Sequence, residues 1–537
     1  MHRILSYVMV LLLLLTFALP VSADAAEDVK FKISIDTDAS QAGHIALNIN
    51  GENLNDLYAY EAVLSYDPQD LEFVKSKAAM EGFAVPPQIE DKKVYIAFTK
   101  VGKVNGIDGN ALLNKVSFKR KNSNPIKVTL ESVKAVNSSL VAKTYEIGQS
   151  IQDAYYLQYP KVSDDMKTAT ASLSLEKYNE LLKNAIGDSS GIKLIFIEIN
   201  PVDTATRYVQ ELPSIALSAT ALDKNIVIRT PFGTITLPGN VISKEELNGN
   251  DTVSISIESA NMPLINNEIN NLVGDRPVIK VSMMSQDKNI SGLKQSIKID
   301  LPYRAKKDEN SNAVIVCSID ENGKAEILKN SKYNSTIGAA TFSTDYLSKF
   351  AVTYNKINFD DVDEKAYYYN AVTYLAARNI TLGTGNGLFS PRGKLTRGQF
   401  MVLVMRAYGI SPDENLKDNF SDAGNTYYTG YLAAAKRLGL SKGIGNNMFG
   451  PEIEISRQEL FTLLYNVLKE TGNLPGSDVG KDINSFNDAD QVASYAKEAI
   501  TFLVRTGIVQ GYNNELNPRG KAERAEAVQL LYNLMSQ

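Results

Sequence analysis

The stretch SPRGKLTRGQF, residues 390–400, contains a proline turn that is followed six residues later by an arginine. The same spacing recurs in GPEIEISRQEL, residues 450–460, and in NPRGKAERAEA, residues 517–527. A pattern that occurs three times at intervals of about 60 to 67 residues indicates one structural unit copied along the chain. We therefore expect three copies that bury one another's apolar faces.

The residues around each arginine predict where a helix begins. Thr396 with Gln399, and Ser456 with Glu459, fit the S/T-x-x-E/Q capping box. The arginine that follows the cap then occupies the first helical position, beside backbone N–H groups that carry partial positive charge. Two positive features at one place favour an anion, above all a carboxylate that accepts two hydrogen bonds from one guanidinium. The candidate anion-binding residues are Arg397, Arg457 and Arg524.

A purely structural role for these arginines is the alternative. Each could form a salt bridge with an aspartate of the same or a neighbouring repeat, at Asp361, Asp422 or Asp488. In the third copy Glu523 stands at the cap position beside Arg524, and we expect its carboxylate to neutralise that arginine. The third site is therefore expected to contribute least to binding.

The three copies share further letters. Each begins with F-x-D and Val or Ala, and continues with a tyrosine on its first helix, a Gly-rich turn and the proline. In the first copy the letters are FDDV, AVTYLAARNI, GTGNGLFSP and LTRGQ, and the other two copies carry counterparts. These letters resemble the S-layer homology (SLH) repeat. The expected repeats span residues 356–412, 418–474 and 482–537.

The resemblance to SLH repeats implies an all-α spindle of three units that binds secondary cell wall polymer. Such polymers often bear pyruvyl ketals, each of which presents a carboxylate. The chain has no tryptophan, so tyrosines would supply the sugar-stacking surface. The polymer-binding residues that the resemblance implies are Arg397, Arg457, Arg524, Asp361, Asp422, Asp488, Tyr367, Tyr427 and Tyr495.

The N-terminus has the features of a secretory signal peptide over residues 1–23. A basic start at Arg3 precedes an apolar run and a small-residue cleavage site at Ala23. The apolar run is interrupted at Ser6 and Thr16, so it is too short for a retained membrane anchor. We expect a secreted chain, located at the cell wall or S-layer, without a membrane segment in its mature form. The formal charge of −5 argues against nucleic acid as a partner.

Residues 28–152 alternate apolar and polar letters in short runs, which predicts an all-β sandwich. The stretches LYAYEAVLSYDPQDLEFV, residues 57–74, and GIDGNALLNKVSFKRK, residues 106–121, resemble the cohesin domain, a nine-stranded jelly roll that binds dockerin modules. That resemblance implies that Glu61 lies on an outward, protein-docking face, and an ordinary solvated strand residue is the alternative. The alternation predicts that the core face carries Tyr58, Tyr60, Ala62, Leu64 and Tyr66.

Residues 155–355 open with the helical stretch SLEKYNELLKNAIG and then return to strands, which predicts a second β-rich domain, a spacer. The letters GDSSG fit a nucleophile-elbow pattern around Ser189, but the helix precedes and the strand follows, which is the reverse of a hydrolase elbow. His44 is the one histidine of the mature chain, and Cys317 is the one cysteine, so neither a Ser–His hydrolase nor a zinc cluster is expected. No cofactor or metal is expected.

These features favour a non-catalytic surface protein that is anchored by SLH repeats and displays a cohesin-like docking domain. Its expected partners are secondary cell wall polymer and a dockerin-like protein module or a polysaccharide. A wall-anchored glycan-binding adhesin or an S-layer structural protein is the alternative. A wall-anchored enzyme acting on polysaccharide is a further alternative, because 61 acidic residues furnish many chance carboxylate pairs.

Overall fold

The computed structural model describes most of the chain from residue 28 to residue 536. The predicted signal peptide and Ser189 lie outside the described residues. Strands dominate up to Tyr354, and helices follow. The described residues are 28–36, 44–122, 124–187, 191–220, 222–247, 249, 251–260, 271–290, 292–335, 337–475 and 481–536.

Nine strands within residues 30–152 form the first sheet system. Strand β2 takes part in both of its layers, since its first half pairs with β1 and β7 and its second half with β6 and β8. Register shifts between Gly51 and Leu57 separate the two halves. One layer is therefore β3–β7–β2–β1 and the other β4–β6–β2–β8–β9. The strands are β1 (Lys30–Ile35), β2 (His44–Tyr66), β3 (Leu71–Ala78), β4 (Phe83–Ala84), β5 (Gln88–Glu90), β6 (Lys93–Thr99), β7 (Ile107–Arg120), β8 (Lys127–Asn137) and β9 (Ala142–Gln152).

The alternation predicted for β2 is confirmed. Tyr60, Ala62, Leu64 and Tyr66 are buried between the two layers, and Tyr58 at the end of the row is half-buried. The Tyr60 hydroxyl donates to the carbonyl of Leu113 across the core at 2.9 Å. Because side chains on a strand alternate between its two faces, the residues between these positions point outward.

Two further sheets fill residues 154–354. The seven-stranded sheet has the order β10–β13–β15–β16–β20–β24–β23, and the nine-stranded sheet has the order β11–β12–β14–β17–β18–β25–β21–β22, with β19 on β18. The strands are β10 (Ala154–Gln158), β11 (Lys161–Val162), β12 (Thr168–Ser172), β13 (Lys193–Ile199), β14 (Arg207–Pro213), β15 (Lys224–Thr230), β16 (Gly233–Pro238), β17 (Thr252–Ser259), β18 (Val278–Ser285), β19 (Lys288–Ile290), β20 (Gly292–Pro302), β21 (Val314–Ile319), β22 (Ala325–Leu328), β23 (Lys332–Asn334), β24 (Ala339–Tyr346) and β25 (Lys349–Tyr354).

Helix α1 (Leu175–Asn184) occupies the predicted helical stretch, and the Ser174 side chain caps it by accepting from the N–H of Lys177. A second, four-residue helix, α2, spans Lys244–Leu247. Asp153 alone separates β9 from β10, so no flexible linker joins the first sheet system to the next. The buried Asp153 forms an ion pair with Arg120.

The three C-terminal copies contribute two helices each. In each copy the second helix begins at the predicted arginine, which confirms the prediction of its first helical residue. The helices are α3 (Tyr369–Ala377), α4 (Arg397–Ala407), α5 (Thr429–Arg437), α6 (Arg457–Glu470), α7 (Lys497–Arg505) and α8 (Arg524–Met535).

The prediction that this region is all-α is wrong in one respect. The segments just before α4, α6 and α8 are extended and form β-bridges with one another. The N–H of Leu395 donates to the carbonyl of Ala522, that of Ala522 to Ile455, and that of Ile455 to Leu395. The three bonds close a ring across the copies because extended segments satisfy their backbone groups only through neighbouring chain segments. The repeats therefore share a central β-ring with helices around it.

Arg378, the residue after α3, joins the helical region to the strands before it. Its guanidinium is fully buried and donates to the carbonyls of Ser331, Asn312 and Tyr374 at 2.7 to 2.9 Å. It also lies 3.4 Å from the centre of the Tyr374 ring. This contact ties the first repeat to the strand-rich region.

Candidate functional site

The helix starts of α4, α6 and α8 are closed by three capping boxes. Those of Thr396 with Gln399 and Ser456 with Glu459 confirm the sequence prediction. The third, of Glu523 with Glu526, was not predicted from the capping pattern, because a glutamate replaces the usual Ser or Thr. Each box fixes where the arginine side chain leaves the backbone.

Each arginine reaches the next repeat around the ring. Its Nε donates to a backbone carbonyl there, at 2.8 to 2.9 Å. Two of the guanidiniums also lie over the ring of the phenylalanine that supplies the carbonyl, at 4.8 and 4.9 Å. The pairs are Arg397 with Phe449, Arg457 with Leu516, and Arg524 with Phe389. The first repeat thus contacts the second, the second the third, and the third the first.

The charge partners differ among the three sites. Arg397 forms an ion pair with Glu459 at 2.7 Å, and Arg457 forms one with Glu526 at 3.0 Å. Both acids are the last residue of a neighbouring capping box. Gln399 holds that position beside the third arginine, and among the described residues Arg524 has no carboxylate within ion-pair distance.

The predicted neutralisation of Arg524 by Glu523 is wrong, whereas the ranking of the three arginines in polymer binding stays a prediction. Glu523 was expected to neutralise Arg524, but its Oε1 lies 3.0 Å from Nζ of Lys394 instead. The capping geometry turns the glutamate side chain back toward the start of its own helix, away from the arginine that follows it. Of these three arginines, Arg397 and Arg457 carry carboxylate partners, whereas Arg524 forms no ion pair with the residues that the structure describes.

The three predicted aspartates accept hydrogen bonds from backbone N–H groups, and their role in polymer binding stays a prediction. The two carboxylate oxygens of Asp361 accept from the N–H groups of Phe389 and Ser390, both at 2.7 Å. Asp422 and Asp488 make the same pair of bonds in their own repeats. The alternative in which the arginines pair with these aspartates is wrong for Arg397 and Arg457, whose ion pairs are with Glu459 and Glu526. The charge of Asp361 acts on Arg524 without an ion pair between them. The aspartates fix the loop that supplies the carbonyl for each arginine.

Tyr367 and Tyr427 lie two residues before the first α-helix of their repeats, not on it. Tyr495 lies in a short 3-10 helix, Ser494–Ala496, that leads directly into α7. In the first repeat the carbonyl of Tyr368 accepts the first helical bond, from Val372, so Tyr367 remains outside the helix. This position leaves the rings largely exposed, at 66%, 58% and 57% for Tyr367, Tyr427 and Tyr495 respectively.

Each tyrosine lies beside an arginine of another repeat. Tyr427 and Arg524 line one cavity of about 390 Å³, and Tyr367 and Arg457 line another of about 320 Å³. Tyr495 interacts electrostatically with Arg397 and with its partner Glu459. The fold therefore pairs one arginine with one exposed tyrosine at three places between repeats, here called grooves, and the first two of them line cavities.

Burial and charge shift the pKa values in these grooves. Burial raises the pKa of Tyr427, and the nearby Glu452 adds to the shift. Burial alone would raise the pKa of Glu459, but hydrogen bonds from Ser456 and the charge of Arg397 outweigh it and hold that pKa below its ordinary value. Burial lowers the pKa of Arg524, and the charges of Tyr427 and Asp361 oppose that shift without cancelling it.

Two residues that line the cavity of Arg524 and Tyr427 were not predicted from the sequence. Gln399 stands where the other repeats have Glu459 and Glu526, a difference visible on comparing the letters TRGQ, SRQE and ERAE. Arg406 lines the cavity of Arg524, and its Nε donates to the Tyr431 hydroxyl at 3.2 Å. It follows Arg397 by nine residues, and the other two repeats have asparagine at that spacing.

Glu61 lies on the outward face of the first sheet system and is exposed. Its backbone pairs with Ala97 of β6 on one side and Lys134 of β8 on the other. The structure thus gives the predicted orientation, whereas a docking role remains a prediction.

The three repeats match the model of the S-layer homology domain over residues 358–401, 419–461 and 485–528. The chain carries three S-layer homology domains. An amylopullulanase of Thermoanaerobacterium thermosulfurigenes is 23% identical over 356 residues, which are 66% of this chain and 18% of that relative. The S-layer protein sap of Bacillus anthracis is 28% identical over 173 residues, which are 32% of this chain and 20% of that relative. This chain spans about a fifth of the length of these relatives.

Two solved cohesins also resemble part of the chain. The cohesin module of a family 33 glycoside hydrolase from Clostridium perfringens has a TM-score of 0.20 and 17% identity, covering 23% of this chain and 96% of that one. The non-cellulosomal cohesin from Archaeoglobus fulgidus has a TM-score of 0.17 and 18% identity, covering 22% of this chain and 92% of that one.

The S-layer homology domains and the S-layer relatives indicate a location at the cell surface, with anchoring to the cell wall. Among the described residues, no helix has the length and apolar composition needed to cross a membrane.

Proposed function

We propose that this chain is a non-catalytic cell-surface protein whose SLH domains bind an acidic secondary cell wall polymer. The observation that carries the proposal is the repeated groove between repeats, in which a helix-start arginine meets an exposed tyrosine of another repeat. A guanidinium beside helix N–H groups suits a carboxylate, and an exposed aromatic ring suits the flat face of a sugar. A pyruvylated sugar unit carries both the carboxylate and the flat sugar face.

The rigid connection between the parts of the chain supports a display role for the first sheet system. A single buried residue, Asp153, joins it to the strands that follow, and Arg378 fixes those strands to the first repeat. An anchored base would therefore hold the outward face around Glu61 at a fixed distance from the wall. We propose that this face docks a protein module of the dockerin type.

Wall binding is tested by sedimenting the full chain with purified Gram-positive cell walls. We expect the protein to pellet with intact walls, to remain soluble with walls stripped of their secondary polymer, and to be released by added free polymer. Equal pelleting with intact and stripped walls would overturn the polymer proposal. Sugar release from the walls above that of a heat-denatured control would overturn the non-catalytic assignment.

The docking proposal is tested with Glu61→Lys in the full chain. Glu72→Lys is the matched control, because Glu72 is an exposed glutamate on β3 of the opposite layer. We expect Glu61→Lys alone to lose binding to a panel of dockerin modules, while the melting temperatures of both variants stay close to the wild type. Binding of a polysaccharide panel, with no binding of dockerin modules by the wild type, would favour the adhesin alternative and overturn the docking role.

A further inference from the structure

We infer that the three grooves are not equivalent and that the groove of Arg524 is the one that takes the anionic group of the ligand. This inference rests on the proposed function, because it specifies which groove binds the acidic polymer and why. Its ligand is an acidic saccharide whose charged group is a carboxylate.

The first step concerns charge that is already neutralised. In the grooves of Arg397 and Arg457 a protein carboxylate lies 2.7 or 3.0 Å from the guanidinium, on Glu459 or Glu526. A ligand carboxylate entering either groove would have to compete with a carboxylate that is already in place. Like charges at close range repel, so the entry of an anion is unfavourable in both.

The second step concerns the amide of Gln399. Its Oε1 accepts from the N–H of Thr396 at 3.2 Å, as Oε2 of Glu459 accepts from Ser456. The other carboxylate oxygen of Glu459, Oε1, accepts a hydrogen bond from Arg397. In Gln399 the corresponding atom is the amide nitrogen, whose NH₂ group can only donate. Gln399 therefore keeps the helix cap and cannot satisfy Arg524.

The third step concerns the local charge of the cavity. Arg524 and Arg406 both line the 390 Å³ cavity, and its lining residues include neither aspartate nor glutamate. The 320 Å³ cavity of Arg457 includes Glu526 in its lining, so the two charges cancel there. The charges of Asp361 and Glu452 reach Arg524 and Tyr427 from outside this lining. Two guanidiniums with no acid in the lining still favour an anion, and guanidiniums bind carboxylates through paired hydrogen bonds.

The fourth step concerns the sugar that carries the carboxylate. Tyr427 lines the same cavity and leaves 58% of its surface exposed. Leu382, 61% exposed, lines it as well and belongs to the loop after α3. An exposed ring and an apolar side chain beside two cations fit a saccharide with one charged substituent better than a free inorganic anion.

The decisive variant is Gln399→Glu, which restores the acid found in the other two grooves. It keeps the capping box, because glutamate is the usual residue at that position, and it should give Arg524 an ion-pair partner. Gln491→Glu is the matched control, since it adds the same charge at an exposed position outside the grooves. The probe is a set of short oligosaccharides cut from the wall polymer, with pyruvyl ketals intact or removed by mild acid.

Calorimetric titration of the full chain with these oligosaccharides tests the inference. We expect one site per chain, a loss of at least tenfold in affinity for Gln399→Glu and for Arg406→Ala, and unchanged affinity for Gln491→Glu. The reverse change, Glu526→Gln, should add a second site by freeing Arg457. Thermal melts verify that each variant is folded.

The outcomes separate this inference from the proposed function. Wild-type affinity in folded Gln399→Glu, or three equal sites in the wild type, would overturn the inference while leaving wall binding intact. Equal binding of oligosaccharides with and without pyruvyl ketals would overturn the carboxylate assignment. Failure of the wild type to bind intact walls or any oligosaccharide would overturn the proposed function itself.

Discussion

The guanidinium of Arg397 lies 2.7 Å from Oε1 of Glu459, a residue of the next repeat. Arg397 is buried, and its Nε also donates to the carbonyl of Phe449. A buried guanidinium that loses its carboxylate leaves an uncompensated charge, which is costly. Arg397 joins two repeats at this groove, so we expect its removal to lower the stability of the fold more than it lowers ligand binding.

A double-mutant cycle on Arg397→Ala and Glu459→Gln measures that role. We expect each single change to lower the free energy of unfolding by about 3 kcal/mol, with a coupling energy of about 1 to 3 kcal/mol. The Arg437–Asp413 pair is the control, because Arg437 is 59% exposed and solvent screening leaves exposed pairs with little coupling. Urea unfolding supplies the free energies, and equal coupling in both cycles would contradict the structural role.

Acid should weaken the same contact. Hydrogen bonds from Ser456 and the charge of Arg397 hold the pKa of Glu459 below its ordinary value of 4.5. Its stabilising contribution is therefore complete above pH 4.5 and is lost as the pH falls through the lower, folded-state pKa. We expect Glu459→Gln to show a smaller drop in melting temperature than the wild type between pH 5 and pH 3. Glu470→Gln, an exposed change on the same helix, should retain the wild-type drop.

The buried Arg378 predicts cooperative unfolding of the first repeat and the strands before it. Arg378→Met removes four donated hydrogen bonds and leaves the carbonyls of Ser331 and Asn312 without their donor. We expect a loss of about 3 to 5 kcal/mol and the separation of one calorimetric transition into two. A single transition at an unchanged temperature would show that this contact does not couple the two regions.

The carboxylate of Asp361 should stabilise its loop, and that loop supplies the Phe389 carbonyl that accepts a hydrogen bond from Arg524. Asp361→Ala removes two hydrogen bonds to backbone N–H groups, each worth about 1.5 to 3 kcal/mol for a charged acceptor. We expect a loss of about 3 kcal/mol, measured by thermal unfolding, together with weaker wall binding because Phe389 also holds Arg524. Asp360→Ala, a change at the exposed neighbour, should alter stability by less than about 0.5 kcal/mol.

Local patterns in the sequence determined the helix starts and the core face of β2. Capping depends on residues within four positions of Thr396 or Ser456, and strand alternation depends on a period of two, so both are visible in the letters. The same local reasoning placed Tyr367 on a helix that in fact begins two residues later, since the boundary is set by which carbonyl accepts the first helical bond.

Only the tertiary structure decided which arginine is free. The partner of Arg397 is 62 residues away and that of Arg457 is 69 residues away, each in another repeat, and the ring brings the third arginine back to Gln399 of the first repeat. Pairing between charges depends on distance through space, which the closed β-ring sets. The sequence contains the difference, a glutamine at position 399 in place of a glutamate, but only the fold shows that this residue faces Arg524.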